Sequence, residues 1–243
     1  MTKPLPILSH MPLHIKQNIV DLSETRTKLI LRRCTKDFKS IIDFSKVTYN
    51  CLSFWWDFEK GLIRICRVLE GKSRSVEFFP RPNGYFKKIH DWVPTRPLRE
   101  KLVENGEDYL DAAIEQFVKI LRNHPNNYLK RLVISIENKN GDEEEFNAQK
   151  PKIIEKLEKT LTSFGHKVSV GEFAIYTNAN VDDFVGILQC LKPGTLKNIF
   201  FDHHNLRTVS PLNLERTVET DQWKKAEKAG SWNYNMKIPR EAT

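Results

Sequence analysis

Cysteine is scarce in this chain: four occur among 243 residues. Cys34, Cys51, Cys66 and Cys190 show no C-x-x-C spacing. That excludes a disulfide scaffold and reads as reduced thiols of a cytosolic or nuclear protein. No apolar run approaches the roughly 18 residues a membrane-spanning helix needs. Met1 to Lys16 is too broken by Pro and His to read as a signal peptide. There is no Walker loop and no G-x-G-x-x-G, so the common nucleotide-binding fingerprints are missing. No run of consecutive basic residues stands out, although Lys plus Arg outnumber Asp plus Glu by 39 to 31.

What is present is an ordinary globular composition. Apolar residues make up 40% and charged residues 29%, enough to bury a core without metal or disulfide. The length allows one large domain or two small ones. The net charge of +8 is that of a solvated basic surface. Residues 1–50 alone hold 9 basic and 4 acidic side chains, an excess that could steer an acidic protein partner.

The first 44 residues read as a short helical head. Pro12 suits a helix start, because its missing N–H is not needed in the first turn. Met11, Ile15 and Ile19 recur at four-residue spacing. Ser23 is the expected N-cap of a second helix carrying Leu29, Leu31 and Cys34. Thr35 is the expected cap of a third, with Phe38, Ile41 and Ile42 at i, i+3 and i+4. Three helices this short cannot build a large core, so the head needs a surface to lean on.

From Val47 the period becomes two. Leu52, Phe54 and Trp56, then Leu62 to Val68, then Val76 to Phe79 predict a small antiparallel set of short strands over about 48 to 90. Asp91 to Arg99, with Pro94 and Pro97, reads as a linker. Helix and strand then alternate. Leu110 to Leu121 carries a helical stripe, and Leu132, Ile134 and Ile136 a strand. Gly141 to Glu145 reads as an acidic loop, and Pro151 as a helix start. Gly165 closes that helix, Val168 to Ile175 is a strand with a bulge at Gly171-Glu172, and Asn180 caps a further helix. Leu196 to Phe201 is the last strand of the series. This order predicts parallel strands with crossover helices, of leucine-rich-repeat-like α/β character.

Asp202-His203-His204 after that last strand is the one cluster with metal-ligand chemistry. Two adjacent His on extended chain diverge, so a polar loop is expected there. Cys190 has no sequence-evident base and reads as a structural thiol. Trp55, Trp56, Tyr85 and Phe86 beside Lys87-Lys88 could stack bases, which leaves nucleic-acid binding as an alternative.

Met11-Pro12, Ile15, Ile19, Leu29, Leu31-Arg32-Arg33, Cys34, Lys36, Phe38 and Ile41-Ile42-Asp43 resemble an F-box of the kind found in the large nematode F-box families. Tyr128 to Leu132, Leu188 to Ile199 and Thr220 to Ala226 resemble the FTH domain that follows it in many of those proteins. The most specific stretches are Lys192-Pro193-Gly194-Thr195-Leu196 and Gln222-Trp223-Lys224. The two resemblances cover about 11–43 and 105–229. They imply an α+β, α/β chain with a three-helix F-box over 8–44, a short-strand region and linker over 45–104, and an FTH-like domain over 105–243.

The resemblance further implies a substrate-receptor subunit of a Skp–cullin–F-box ubiquitin ligase. The F-box would dock on the Skp adaptor through Pro12, Leu13, Ile15, Ile19, Leu29, Leu31 and Phe38, and the FTH-like domain would capture a protein target. No catalysis, cofactor, metal or membrane is implied for this chain. Polar Ser23 to Lys28 depart from the family's pattern, which leaves an F-box-like interaction or decoy protein as the second alternative. The loops near Asn138 to Glu145, Thr177 to Asn180 and Asp202 to Leu206 are the expected target-binding places. FTH domains usually continue into another strand after Gln-Trp-Lys, and the short remainder after Trp223 suggests truncation.

Overall fold

The structure is a computed structural model and describes residues 8–44, 48–69, 72–91, 99–103, 108–122, 128–138, 141–177, 180–202 and 214–231. Some side chains inside those ranges, Leu29 and Asp91 among them, fall outside the described set.

Three short helices open the chain: α1 (Leu13–Leu22), α2 (Thr25–Leu31) and α3 (Lys36–Phe44). The Pro12 carbonyl accepts from the backbone N–H groups of Ile15 and Lys16, both at 3.1 Å. Thr35 caps α3 as expected, its Oγ1 accepting from Phe38 N at 3.2 Å. Ser23 does not cap α2. Its hydroxyl turns back and donates to the Ile19 carbonyl at 2.5 Å, closing α1, and α2 begins after Glu24. A serine at a helix end can bond the carbonyl four residues earlier as readily as an N–H ahead of it, and spacing does not separate the two. Val20, Phe38, Ile41 and Ile42 form a small core, with Ile19 and Leu31 leaning on it. Buried Lys16 is ion-paired with Asp37 across α1 and α3.

The body is one nine-stranded mixed sheet. The strands are β1 (Thr48–Asp57), β2 (Leu62–Leu69), β3 (Lys72–Arg81), β4 (Gly84–Asp91), β5 (Arg99–Val103), β6 (Tyr128–Glu137), β7 (Ser169–Thr177), β8 (Asn198–Asp202) and β9 (Lys228–Ser231), in the order β5-β4-β3-β2-β1-β6-β7-β8-β9. β1 to β5 are antiparallel neighbours; the turn signals predict β1 to β4, and β5 is not among the strands expected from them. β1 also pairs in parallel with β6, Leu52 opposite Leu132 and Phe54 opposite Ile134. The sheet therefore runs without a break across the boundary expected at 104/105. Strand spacing within each half is a local signal; the pairing that joins them is not.

The intervening helices are α4 (Tyr109–Arg122), α5 (Glu143–Thr162), α6 (Val185–Gln189), α7 (Glu215–Val218) and α8 (Asp221–Lys224). α4 packs on α5, α5 on α6 and α6 on α8, so they form a layer on one face of the sheet. Between that layer and the sheet lies a single apolar core. Phe54 meets Phe117 edge-on with centroids 5.6 Å apart, and Trp56 stacks on Phe146 at 5.6 Å.

α5 starts eight residues before Pro151. Asp142 is its cap, Oδ1 accepting from Glu145 N at 2.9 Å. Glu143, Glu144 and Glu145 fill the first turn, where carboxylates offset the helix dipole. The expected acidic loop is that turn, and Pro151 lies inside the helix.

The bulge expected at Gly171-Glu172 belongs to a series. Inward residues step by three positions at matching register: Tyr49 to Leu52, Leu129 to Leu132, Val170 to Phe173. Leu196 and Ile199 repeat the step leading into β8. Because each parallel strand carries the same irregularity, the ladder keeps register across it.

Candidate interaction surfaces

Seven large apolar side chains are exposed among the described residues, and five of them lie between Leu8 and Ile30. Leu13 is 67%, Leu22 90% and Ile30 57% exposed, while Leu8 and Ile15 are just over one-third exposed. Along α1, Ile15, Ile19 and Leu22 stand at i, i+4 and i+7 and share a stripe beside the inward pair Lys16 and Val20. Of the residues expected to meet an adaptor, Pro12, Leu13 and Ile15 are at the surface. Ile19 and Leu31 are half-buried against the small core. Phe38 is fully buried and offers a partner no surface, so it belongs to the core of the head. A module with this few apolar groups needs its largest one inside. The Leu29 side chain lies outside the described residues.

The face of the sheet opposite the helices carries a second surface. Side chains alternate along each strand, so Trp55, Arg64, Glu77, Ser135 and Tyr176 all point to it. They are linked across strands. His90 Nε2 lies 3.2 Å from Glu77 Oε2, and Arg64 pairs with Glu77 at 2.7 Å. The Arg64 guanidinium sits 5.7 Å from the Trp55 ring, and Trp55 Nε1 donates to Glu137 Oε1 at 3.2 Å. Ser135 donates to the same carboxylate oxygen. Arg131 pairs with Glu172 at 2.7 Å and donates to the Tyr176 hydroxyl at 3.1 Å. A polar network that includes the buried groups Glu77, Ser135 and Glu137 thus holds a part-exposed tryptophan, Trp55, on this face. Alternation in the strands contains the positions of these residues; which face the described helices leave uncovered does not follow from it.

The aromatics considered for base stacking divide. Trp56 and Tyr85 are core, Trp55 is at the surface, and half-buried Phe86 lies under Lys88 Nζ at 5.6 Å. Asp202 ends β8, and His203 and His204 fall outside the described residues; no group of three metal-ligating side chains occurs among the described ones. Cys190 is half-buried, with its thiol donating to the Gly186 carbonyl at 3.3 Å, and burial pushes its pKa up. Of the expected target loops, Asn138 folds back on Gly141 at 2.7 Å, Glu143 to Glu145 are helical and Thr177 is buried. Residues 139–140, 178–179 and 203–206 lie outside the described set. Among the described residues no helix is long and apolar enough to cross a membrane.

The second specific motif reaches the residues just before the first. In Lys192 to Leu196, Gly194 takes φ +79, a value that favours glycine, and Thr195 Oγ1 donates to the Lys192 carbonyl at 2.9 Å. This turn delivers buried Leu196 to the core. In the second motif Thr220 caps α8, accepting from Trp223 N at 3.2 Å. Gln222 is buried and donates to the carbonyls of Leu191 at 2.8 Å and Gln189 at 3.2 Å, while Trp223 stacks on Phe201 at 5.9 Å. Both motifs fall where a family model applies. Residues 151–241 match the FTH domain. No curated protein and no solved structure matches the chain.

Within the FTH segment the motif residues are packing devices. They tie α6, α8 and β8 into one unit. The segment begins at 151, well inside α5 and later than the expected 105. After Trp223 a further strand, β9, pairs in parallel with β8.

Proposed function

We propose that this chain is a substrate-receptor subunit of a Skp–cullin–F-box ubiquitin ligase. Its helical head is the F-box that docks on the Skp adaptor, and the body presents a protein target. The concentration of exposed apolar side chains on the head carries this proposal: five of seven in the described chain lie within Leu8 to Ile30. Solitary exposed apolar residues are ordinary, but a cluster on a small helical unit is what a docking surface requires. Leu13 and Ile15 are both exposed and both at positions the F-box resemblance assigns to the adaptor. The FTH match adds support, since FTH domains are associated with F-box proteins.

The parallel half of the sheet is leucine-rich-repeat-like in this proposal. The spacing Leu129-x-x-Leu132-x-Ile134, echoed by Val170, Phe173 and Ile175, supports it. The sheet face around Trp55 and Arg131, opposite the described helices, is then the place for target capture, because aromatic and Arg side chains anchor protein interfaces. Ubiquitin chemistry belongs to other subunits, and the chain acts in the cytoplasm or nucleus. The second function, an F-box-like interaction or decoy protein, is favoured by one observation: Phe38 is spent on the head's own core. Gel filtration of the full chain with a purified Skp adaptor separates the two. Co-elution at micromolar concentration supports the receptor; separate elution supports the decoy.

A further inference from the structure

The sheet ends at β5, which pairs with β4 and with no other described strand. Four of its five residues, Arg99 to Leu102, are exposed. Leu102 is 49% exposed, and Trp55 is the only other exposed large apolar side chain outside the head among the described residues. An edge strand offers a row of backbone N–H and C=O groups to an extended chain that comes alongside.

Leu102 also ends an apolar row. Phe79 stands opposite Phe86, and Phe86 opposite Leu102, across β3, β4 and β5. The Lys88 ammonium lies 5.8 Å from the Phe79 ring and 5.6 Å from the Phe86 ring, and it pairs with Glu100 at 3.2 Å. Both rings are half-buried, so Leu102 is the exposed end of the row. Beside it lies a recess of about 380 Å³, formed by the turn Arg81 to Gly84 with Phe86, Leu102 and Val103. Strand addition takes its affinity from backbone hydrogen bonds and its specificity from places for alternate side chains. The edge and the recess supply one of each.

The register also selects the occupant. In the ladder Lys101 faces Lys87 and Arg99 faces Ile89, so β4 gives neither an acidic cross-strand partner. Opposite charges directly across a ladder stabilise it, and like charges destabilise it. An added strand is therefore favoured with acidic residues opposite Arg99 and Lys101 and an apolar residue opposite Leu102. A second copy of this chain does not meet that pattern. Two-fold pairing centred on Lys101 sets that lysine against its own copy, and pairing centred on Glu100 sets Glu100 against itself and Arg99 against Lys101. Pairing centred on Leu102 engages only Lys101 to Val103 of the strand. We infer that β5 takes up, as a tenth strand, an extended segment of another protein in which acidic and apolar residues alternate. Trp55 lies on β1, four strands away, so this is a separate place from the face around it. The site belongs to the body alone and does not depend on the adaptor role; either can fail without the other.

The test is selection of a phage-displayed library of random dodecapeptides against the full chain. The expected result is a consensus with acidic residues at alternate positions and an apolar residue between them. A synthetic peptide of that consensus, followed by fluorescence anisotropy, binds saturably to the wild type and at least about tenfold more weakly to Leu102→Asp. Lys101→Glu weakens it as well, and selection repeated on that variant replaces one acidic position by Lys or Arg. Both positions are exposed, so the unfolding midpoint of each variant stays that of the wild type. Lys130→Glu, an exposed charge on β6, binds the peptide as the wild type does. Absence of any selected binder overturns the inference, as does a consensus without that alternation, or binding that Leu102→Asp leaves unchanged. So does an equal loss in Lys130→Glu. Dimerisation of the free chain that Leu102→Asp abolishes, read by sedimentation, overturns it too and gives the edge to a second copy.

Discussion

The Gln222 side-chain amide donates to the Leu191 carbonyl at 2.8 Å, joining two motifs that lie 31 residues apart. Leu191 ends the α6 connection and forms an isolated parallel bridge with Val168. Gln222 therefore satisfies carbonyls that α6 leaves open when it stops after little more than one turn. A short helix lacks the internal bonds to hold itself, and the FTH segment supplies them from α8.

Gln222→Ala removes both donations and leaves the Leu191 carbonyl unsatisfied in a buried place. The expected loss is about 2–3 kcal/mol of stability, from an unsatisfied buried group rather than lost contact area. Urea unfolding of the full chain measures it, and an unchanged midpoint would contradict the role.

Asp182 is buried and accepts from Arg216 N at 3.1 Å, Thr217 N at 2.9 Å and Thr217 Oγ1 at 2.7 Å. It caps α7 from a distant part of the chain. Asp182→Ala is expected to cost roughly 2–4 kcal/mol, and Asp182→Asn about half as much, because the amide oxygen still accepts. Thermal unfolding of the two variants checks the order; equal losses would argue against the cap.

A Cβ on Gly171 would stand 2.3 Å from the Tyr128 hydroxyl and 3.1 Å from the Lys130 carbonyl. Gly171→Ala should destabilise by about 1–3 kcal/mol through overpacking. Tyr128→Phe on top of it removes the closest atom and should recover part of the loss. A double-mutant cycle by chemical denaturation reads the coupling, and strict additivity would remove the steric explanation.

Cys34 is exposed, whereas burial is the largest cause raising the pKa of both Cys51 and Cys190. At neutral pH Cys34 should be alkylated well before the other two, because the thiolate is the reactive form and access adds to the difference. The sign for stability follows. A raised folded-state pKa means a contribution fully present below the ordinary thiol value of 9.0, and lost as pH climbs above it toward the folded value. Peptide mapping after timed iodoacetamide treatment gives the order of reaction, and simultaneous labelling would contradict these environments.

Local signals carried much of this fold. Pro12 and Thr35 mark helix starts through caps that need only a few residues, and the two-residue alternation marked β1 to β4. Ser23 misleads because its hydroxyl has two satisfactory acceptor geometries. The three acidic residues at Glu143 to Glu145 resemble a solvated loop until the Asp142 cap shows them to be a helix's first turn. The joining of β1 to β6 was not legible, since residues 80 apart, such as Leu52 and Leu132, leave no local pattern. For the candidate surfaces, Leu13 and Ile15 were legible as outward groups. Phe38 was not, because the same apolar spacing serves a core and an interface.

The central claim is that the head is an adaptor-docking module built on exposed Leu13 and Ile15. The most direct measurement is a titration of a purified Skp adaptor with the full chain and with Leu13→Asp plus Ile15→Asp. The expected result is micromolar or tighter binding by the wild type, at least about tenfold weaker binding by the variant, and the same unfolding midpoint for both. No measurable binding by the wild type, or equal binding by the variant, would contradict it.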